Sequence, residues 1–207
     1  PPGTASVYSD LGFMLLGFLL GDVGGATLDQ PFEAIRGALP DWMGYRVPEP
    51  LIRRVAPTED DPWRKRVLCG EVHDENALAL GGLAGHAGLF GTARAVGAFA
   101  QLVLETFATV TRLGSPDRMR QFASRTTVPN STRALGWDTM KPTSSCGTLM
   151  SPAAIGHTGF TGTSLWIDEP RDLYVVLLTN RVHPTRANAA LAGGLRQGFH
   201  DAVVTVA

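Results

Sequence analysis

Gly156-His157-Thr158-Gly159-Phe160-Thr161-Gly162-Thr163-Ser164-Leu165-Trp166-Ile167-Asp168 decides how this 207-residue chain is read. It reads as one strand whose first half is nearly free of large side chains. Glycine inside a strand usually marks the close approach of a ligand or of another backbone, so glycines alternating with polar residues predict the wall of a pocket. Arg171-Asp172 turn the chain, and Leu173-Tyr174-Val175-Val176-Leu177-Leu178-Thr179-Asn180 is rich in β-branched and aromatic residues. That composition predicts a second strand, antiparallel to the first. Ser164 has Gly162 two places before it but Trp166 two places after it, so it is not a nucleophile elbow and is read as a strand residue.

Toward the N-terminus, Tyr8-Ser9-Asp10 precedes an apolar run from Leu11 to Val23. The run predicts a buried helix, capped by Ser9 or Asp10 and ended by Gly24-Gly25. Such a helix start favours negative charge near Tyr8. A second short helix is expected from Asp29, with Pro31 in its first turn and Phe32 and Ile35 on its inner face. Prolines and charges break every pattern from Pro40 to Pro62, which reads as an irregular excursion. The glycines of Leu80 to Gly91 lack both the Gly-x-Gly-x-x-Gly spacing and a Gly-Lys-Ser/Thr ending, so they predict tight loop packing rather than a phosphate cradle. Thr92 is expected to cap a helix with Val96, Phe99, Val103, Phe107 and Val110 on one stripe, closed by Gly114. A short helix around Arg118 to Ala123 and a polar loop lead past Leu135-Gly136-Trp137-Asp138 to the central strand. The last helix is expected over Arg186 to Val204, carrying Ala190, Leu191, Leu195, Phe199 and Val203.

Composition narrows the function classes. An apolar fraction of 44% suffices for a sizeable core, and a net charge of −1 with scattered arginines offers no field for nucleic acid. The two cysteines, Cys69 and Cys146, lie too far apart for a zinc ribbon and are too few for a disulfide framework. The longest apolar run, Leu11 to Leu20, is too short to span a bilayer. His73, Asp74, Glu75 and His86 are of the types that bind a hydrolytic zinc, but no His-Glu-x-x-His pattern joins them. They are read as hydrogen-bonded loop residues, with no metal and no cofactor.

His157-Thr158-Gly159 stands where penicillin-recognising serine enzymes carry Lys-Thr-Gly, the third element of a set that opens with Ser-x-x-Lys. Tyr8-Ser9-Asp10, followed by a helix, is similar to the second element, Tyr-x-Asn. Gly70 to Asn76, Gly85-His86-Ala87-Gly88-Leu89-Phe90 and Thr179-Asn180-Arg181-Val182-His183-Pro184 extend the likeness. The chain thus resembles the β-lactamase-related serine hydrolases, which include class C β-lactamases, DD-peptidases, esterases and muramoyl-alanine amidases.

The resemblance implies an α+β, β-lactamase/transpeptidase-like fold, an antiparallel sheet flanked by helices beside a mostly helical region. Residues 1–130 would form the mainly helical region, and residues 131–207 the sheet hairpin and C-terminal helix, together one partial domain lacking its N-terminal part. It also implies an acyl-enzyme mechanism. Tyr8 would move the proton between nucleophile and leaving group, the Phe160 N–H would be one oxyanion donor, and Thr158 and Gly159 would contact substrate. Asp10 replaces the family asparagine and His157 the family lysine. Near each other, Asp10 would favour a protonated His157. Both changes point away from an efficient β-lactamase and toward an esterase, amidase or peptidase.

None of the nine serines has a lysine three residues later. The nucleophile is therefore expected outside this chain, which reads as the C-terminal part of a longer enzyme and as inactive alone. The rival expectation is a non-catalytic binding module for peptidoglycan-type ligands. Small-molecule or peptidoglycan-derived substrates and an extracytoplasmic location follow from the resemblance alone.

Overall fold

A computed structural model describes residues 1, 3–37, 39–188 and 194–207. They divide into two compact units that interleave along the chain. One comprises the described residues of 8–95 with 180–188, the other residues 96–179 with 1, 3–7 and 194–207.

In the first unit, α1 spans Asp10–Gly24 and ends where Gly25 takes the left-handed conformation at φ 58°. Ser9 sits extended at the N-cap without a side-chain cap bond, and Asp10 supplies the negative charge of the first turn. The expectation of a buried helix is overturned. Among the residues of α1 only Met14 and Gly17 are buried, whereas Leu11, Leu15, Leu16, Phe18, Leu19, Leu20 and Val23 are exposed. The cause is geometric. The helix is apolar on all sides, and one neighbour is a loop at Gly85, so close that a Cβ there would overlap the Phe13 carbonyl. One face is covered by that approach, and the other leucines remain in solvent.

α2, Asp29–Arg36, begins where the Thr27 hydroxyl donates to Asp29 at 2.6 Å. Its Phe32 meets the edge of Tyr45 with ring centroids 6.1 Å apart. The excursion that follows is mostly irregular, as expected, with β1 at Met43–Gly44, a 3-10 turn at Glu49–Arg54, and β2, Asp60–Asp61, paired with β3, Arg66–Val67. Asp74 caps α3, Glu75–Ala79, by accepting from the Ala77 N–H at 2.7 Å. β4, Phe90–Gly91, returns to pair with β1.

The apolar core of this unit is small, built on Val72, Ala77 and Ala84. A polar cluster supplements it. Glu59 is 1% exposed and accepts from the Arg186 N–H at 2.9 Å, from Arg186 Nη2 at 2.7 Å and from His73 Nε2 at 2.7 Å. Arg186 also bonds Glu75 at 2.8 Å. Buried charge survives only when paired and hydrogen-bonded in this way. The Arg186 bonds, chiefly, hold the Glu59 carboxyl down at about 2.

The second unit is built on a four-stranded antiparallel sheet. α4, Ala93–Ala108, starts in the last residues of the first unit, where the Thr92 hydroxyl accepts from the Ala95 N–H at 3.1 Å, and runs on in the second. Its buried stripe is Ala100, Val103, Leu104 and Phe107. Val110 of the expected stripe lies past the helix end and is exposed. α5, Pro116–Ala123, is capped by Ser115. The sheet follows with β5, Asp138–Thr139, β6, Ile155–Thr158, β7, Ser164–Asp168, and β8, Leu173–Leu177, in the order β5-β6-β7-β8. α6, Leu195–Val206, closes the chain.

Register explains the layering. Ile155 lies opposite Ile167, and Ile167 opposite Tyr174; this row packs on the buried side of α4 and α5. One residue along, Gly156, Trp166 and Val175 form a row facing the other way. There Trp166 and Val175 join Cys146, Met150, Ala154 and Val203 of α6. Both cysteines are free thiols, and burial pushes the Cys146 thiol up to about 12.

Two further expectations change. The stretch Gly156 to Asp168 is two strands joined by a turn, not one, while the β7–β8 hairpin forms as expected. Residues 186–188 are turn and irregular backbone, with the Arg186 side chain drawn onto Glu59 and Glu75, and α6 starts only at Leu195. Ala190 and Leu191 of the expected helix lie outside the described residues.

Candidate active site

β6 stops at Thr158 because its next amide turns back. The Gly159 N–H donates to the Thr163 carbonyl at 2.8 Å, the Gly162 N–H donates to the Gly159 carbonyl at 3.1 Å, and Gly162 takes φ 113°. The glycines answer to this hairpin itself. A Cβ on Gly156 would overlap the Trp166 ring across the strand pair, and one on Gly159 would overlap the Thr163 hydroxyl. In each case the close neighbour is a side chain from across the hairpin.

His157 lies opposite Leu165 and is half-buried; Thr158 lies opposite Ser164 and is exposed. Phe160 carries an exposed side chain in the turn. His157 Nδ1 is 2.9 Å from the Thr158 carbonyl, and its Nε2 is 3.1 Å from Arg133 Nη1. A carbonyl can only accept and a guanidinium can only donate. In this pairing Nδ1 donates to the carbonyl and Nε2 accepts from the guanidinium. Arg133 is itself held by its backbone: its N–H donates to the Ser131 hydroxyl at 3.1 Å, its carbonyl accepts from Thr126 at 2.8 Å, and it bridges to Asp138. No motif in the sequence marks Arg133. Its only signal is being an arginine in the polar loop before the central strand.

Ser164 is a buried strand residue, and its hydroxyl meets His200 Nε2 of α6 at 3.0 Å. Burial pulls the His200 imidazole down to about 4, so this pair is uncharged at neutral pH.

Tyr8 and Asp10 belong to the first unit, whereas His157, Thr158, Gly159 and Phe160 belong to the second. Tyr8 stands two residues before α1, half exposed, its ring 5.9 Å from that of Phe13. Asp10 is exposed in the first helical turn. The acidic and imidazole residues of the Gly70 to Phe90 region are occupied by one another and by arginine: His73 with Glu59, His86 with Asp74 at 2.8 Å, and Glu75 with Arg186. Among the described residues no group of three or more such side chains is arranged to hold a metal ion. A cavity of about 210 Å³ in this unit is lined by Arg46, Val47, Gly70, Leu78, Gly82 and Phe90, among others; Tyr8 and Asp10 are not in its walls.

Residues 1–198 match the Beta-lactamase family. The chain belongs to that family of β-lactamase-related serine hydrolases. A protein of Escherichia coli (strain K12) named "Putative D-alanyl-D-alanine carboxypeptidase" is 34% identical over 206 residues, covering 88% of this chain and 46% of that protein. A protein of the same name from Salmonella agona (strain SL483) is 33% identical over 211 residues, covering 90% of this chain and 48% of its own length. The chain thus spans about half the length of the curated relatives it matches.

Among solved structures, a β-lactamase from Mycobacterium bovis superposes with a TM-score of 0.63 at 20% identity, covering 99% of this chain and 65% of that one. EstCE1, a hydrolase with promiscuous acyltransferase activity, gives 0.63 at 18%, covering 97% and 57%. These two establish the β-lactamase fold, in keeping with the helices and antiparallel sheet of the second unit. Among the described residues no single helix of this family member is long and apolar enough to cross a membrane.

Proposed function

We propose that the protein containing this chain is a serine hydrolase that forms an acyl-enzyme on an ester or amide. A peptide ending in D-alanyl-D-alanine is the substrate suggested by the names of its relatives. The observation that carries this reading is the β6–β7 hairpin, which ends a sheet strand on His157-Thr158-Gly159 and turns the Phe160 backbone out of the ladder. A backbone N–H at the end of a strand is the kind of donor from which an oxyanion hole is built.

Under this reading Tyr8 relays the proton, the Phe160 N–H binds the oxyanion, and Thr158 and Gly159 line the substrate. Asp10 takes the asparagine's place without its amide donor. His157 takes the lysine's place, with the Arg133 guanidinium 3.1 Å from its Nε2 at this strand end. That arrangement suits a substrate with a carboxylate.

The test is covalent labelling of the protein from its full reading frame with a fluorophosphonate and a fluorescent penicillin, followed by peptide mapping. One modified serine preceding Pro1, followed three residues later by lysine, is the expected result, with no label on the 207-residue chain alone. Label on any of the nine serines of this chain, or on none of the longer protein, would overturn the reading.

A further inference from the structure

The peptide unit joining Gly159 to Phe160 is gripped at its oxygen. Arg196 Nη2 donates to the Gly159 carbonyl at 2.9 Å, and the Gly162 N–H donates to the same oxygen at 3.1 Å. Arg196 lies in the first turn of α6. One turn later His200, fully buried, meets the Ser164 hydroxyl at 3.0 Å. Residues four apart lie on one helix face, so a single face of α6 holds both legs of the turn: Gly159 where β6 ends and Ser164 where β7 begins.

The carbonyl of Gly159 and the N–H of Phe160 are opposite ends of one planar amide. Fixing the oxygen therefore fixes the direction in which the N–H points. A guanidinium on the oxygen also does more than a neutral donor would, because a charge-assisted bond is roughly twice as strong. Hydrogen bonds in series also polarise one another. Electron density drawn to the oxygen leaves the amide proton more positive and a better partner for a developing oxyanion.

We infer that Arg196 is a positioning residue for catalysis: by holding the Gly159 carbonyl it aims and polarises the Phe160 N–H that binds the oxyanion. The inference rests on the hydrolase reading, and it assigns a task to α6 that no motif of the sequence announces. A merely structural Arg196 would tie the helix to the turn and leave the amide's electronics alone.

The experiment uses the protein from the full reading frame, as wild type, Arg196→Gln and Arg196→Lys. The amide proton shift of Phe160 is read by NMR and the hydrolysis of p-nitrophenyl butyrate by initial rates. We expect the Phe160 amide proton to move upfield in Arg196→Gln. We also expect kcat to fall by about tenfold or more while KM stays within about twofold, the pattern of an interaction made only in the transition state. Arg196→Lys keeps the charge and should recover part of both effects; its thermal melt controls for folding. An unmoved Phe160 amide in Arg196→Gln, with normal turnover by the wild type, would overturn the inference alone. Absence of wild-type turnover would overturn the hydrolase reading and the inference with it.

Discussion

Arg133 Nη1 stands 3.1 Å from His157 Nε2, which puts a guanidinium at the end of β6. The imidazole accepts from the arginine and donates from Nδ1 to the Thr158 carbonyl. The sequence suggests a carboxylate, Asp10, as the neighbour that would protonate His157. The neighbour seen within this unit is the Arg133 guanidinium.

The first prediction follows from that charge. Arg133→Gln should lower kcat/KM for a carboxylate-bearing peptide by about tenfold or more, the scale of a charge-assisted hydrogen bond, and hardly alter turnover of a neutral ester. His157→Gln, which keeps an acceptor near Arg133 but removes the ring, should have a smaller effect that again falls on the anionic substrate. Rates for a matched acid and amide decide it. Equal losses on both substrates in Arg133→Gln would show that Arg133 supports the fold and not substrate recognition.

Acid stability supplies the second prediction, in two windows. Glu59 is held at about 2, below its ordinary 4.5, so the stability it contributes is full above 4.5 and is lost as pH falls toward 2. A shift of that size corresponds to roughly 3 kcal/mol. His200 is held at about 4, below its ordinary 6.5, so its unfolded form binds the extra proton first. Stability from this group is full above 6.5 and is lost as pH falls toward 4. Urea melts across pH should therefore lose their slope between 6.5 and 4 in His200→Gln, and below 4.5 in Glu59→Gln, the latter at a general cost from stranding Arg186. An unchanged slope in either variant would show that the group named is not the one titrating.

Packing of the hairpin gives the third. Gly156→Ala would drive a methyl into the Trp166 ring, with both residues buried in the sheet. Overpacking of this kind costs about 1–3 kcal/mol. Gly156→Ala combined with Trp166→Leu should be less damaging than the sum of the two single changes, because the smaller side chain makes room. Denaturant midpoints of the four proteins measure the coupling. Simple additivity would mean that the ring does not hold this glycine in place.

The sequence by itself determined what depends on neighbours a few residues away. The start of α1 after Ser9 and its stop at Gly25, the caps Thr92 and Ser115, the short helix α5 and the β7–β8 hairpin are local in this sense, since each is fixed within about one turn of chain. So are the residues that tie the chain to its family, which lie in short runs at Tyr8, Gly70, Gly85, His157 and Thr179. Tertiary structure decided the rest. The turn inside Gly156 to Asp168 follows from strand pairing and from the space the Trp166 ring needs, neither of which the alternation of small and polar residues encodes. Arg133 reaches His157 across 24 residues, and Arg196 reaches Gly159 across 37. Glu59 finds Arg186 across 127. At such separations no periodicity links the partners, and a charged side chain in a loop reads the same whether it is solvated or paired. For α1 the composition announced an apolar helix correctly, but burial depends on which surfaces the fold brings against it, and most of its leucines are left in solvent.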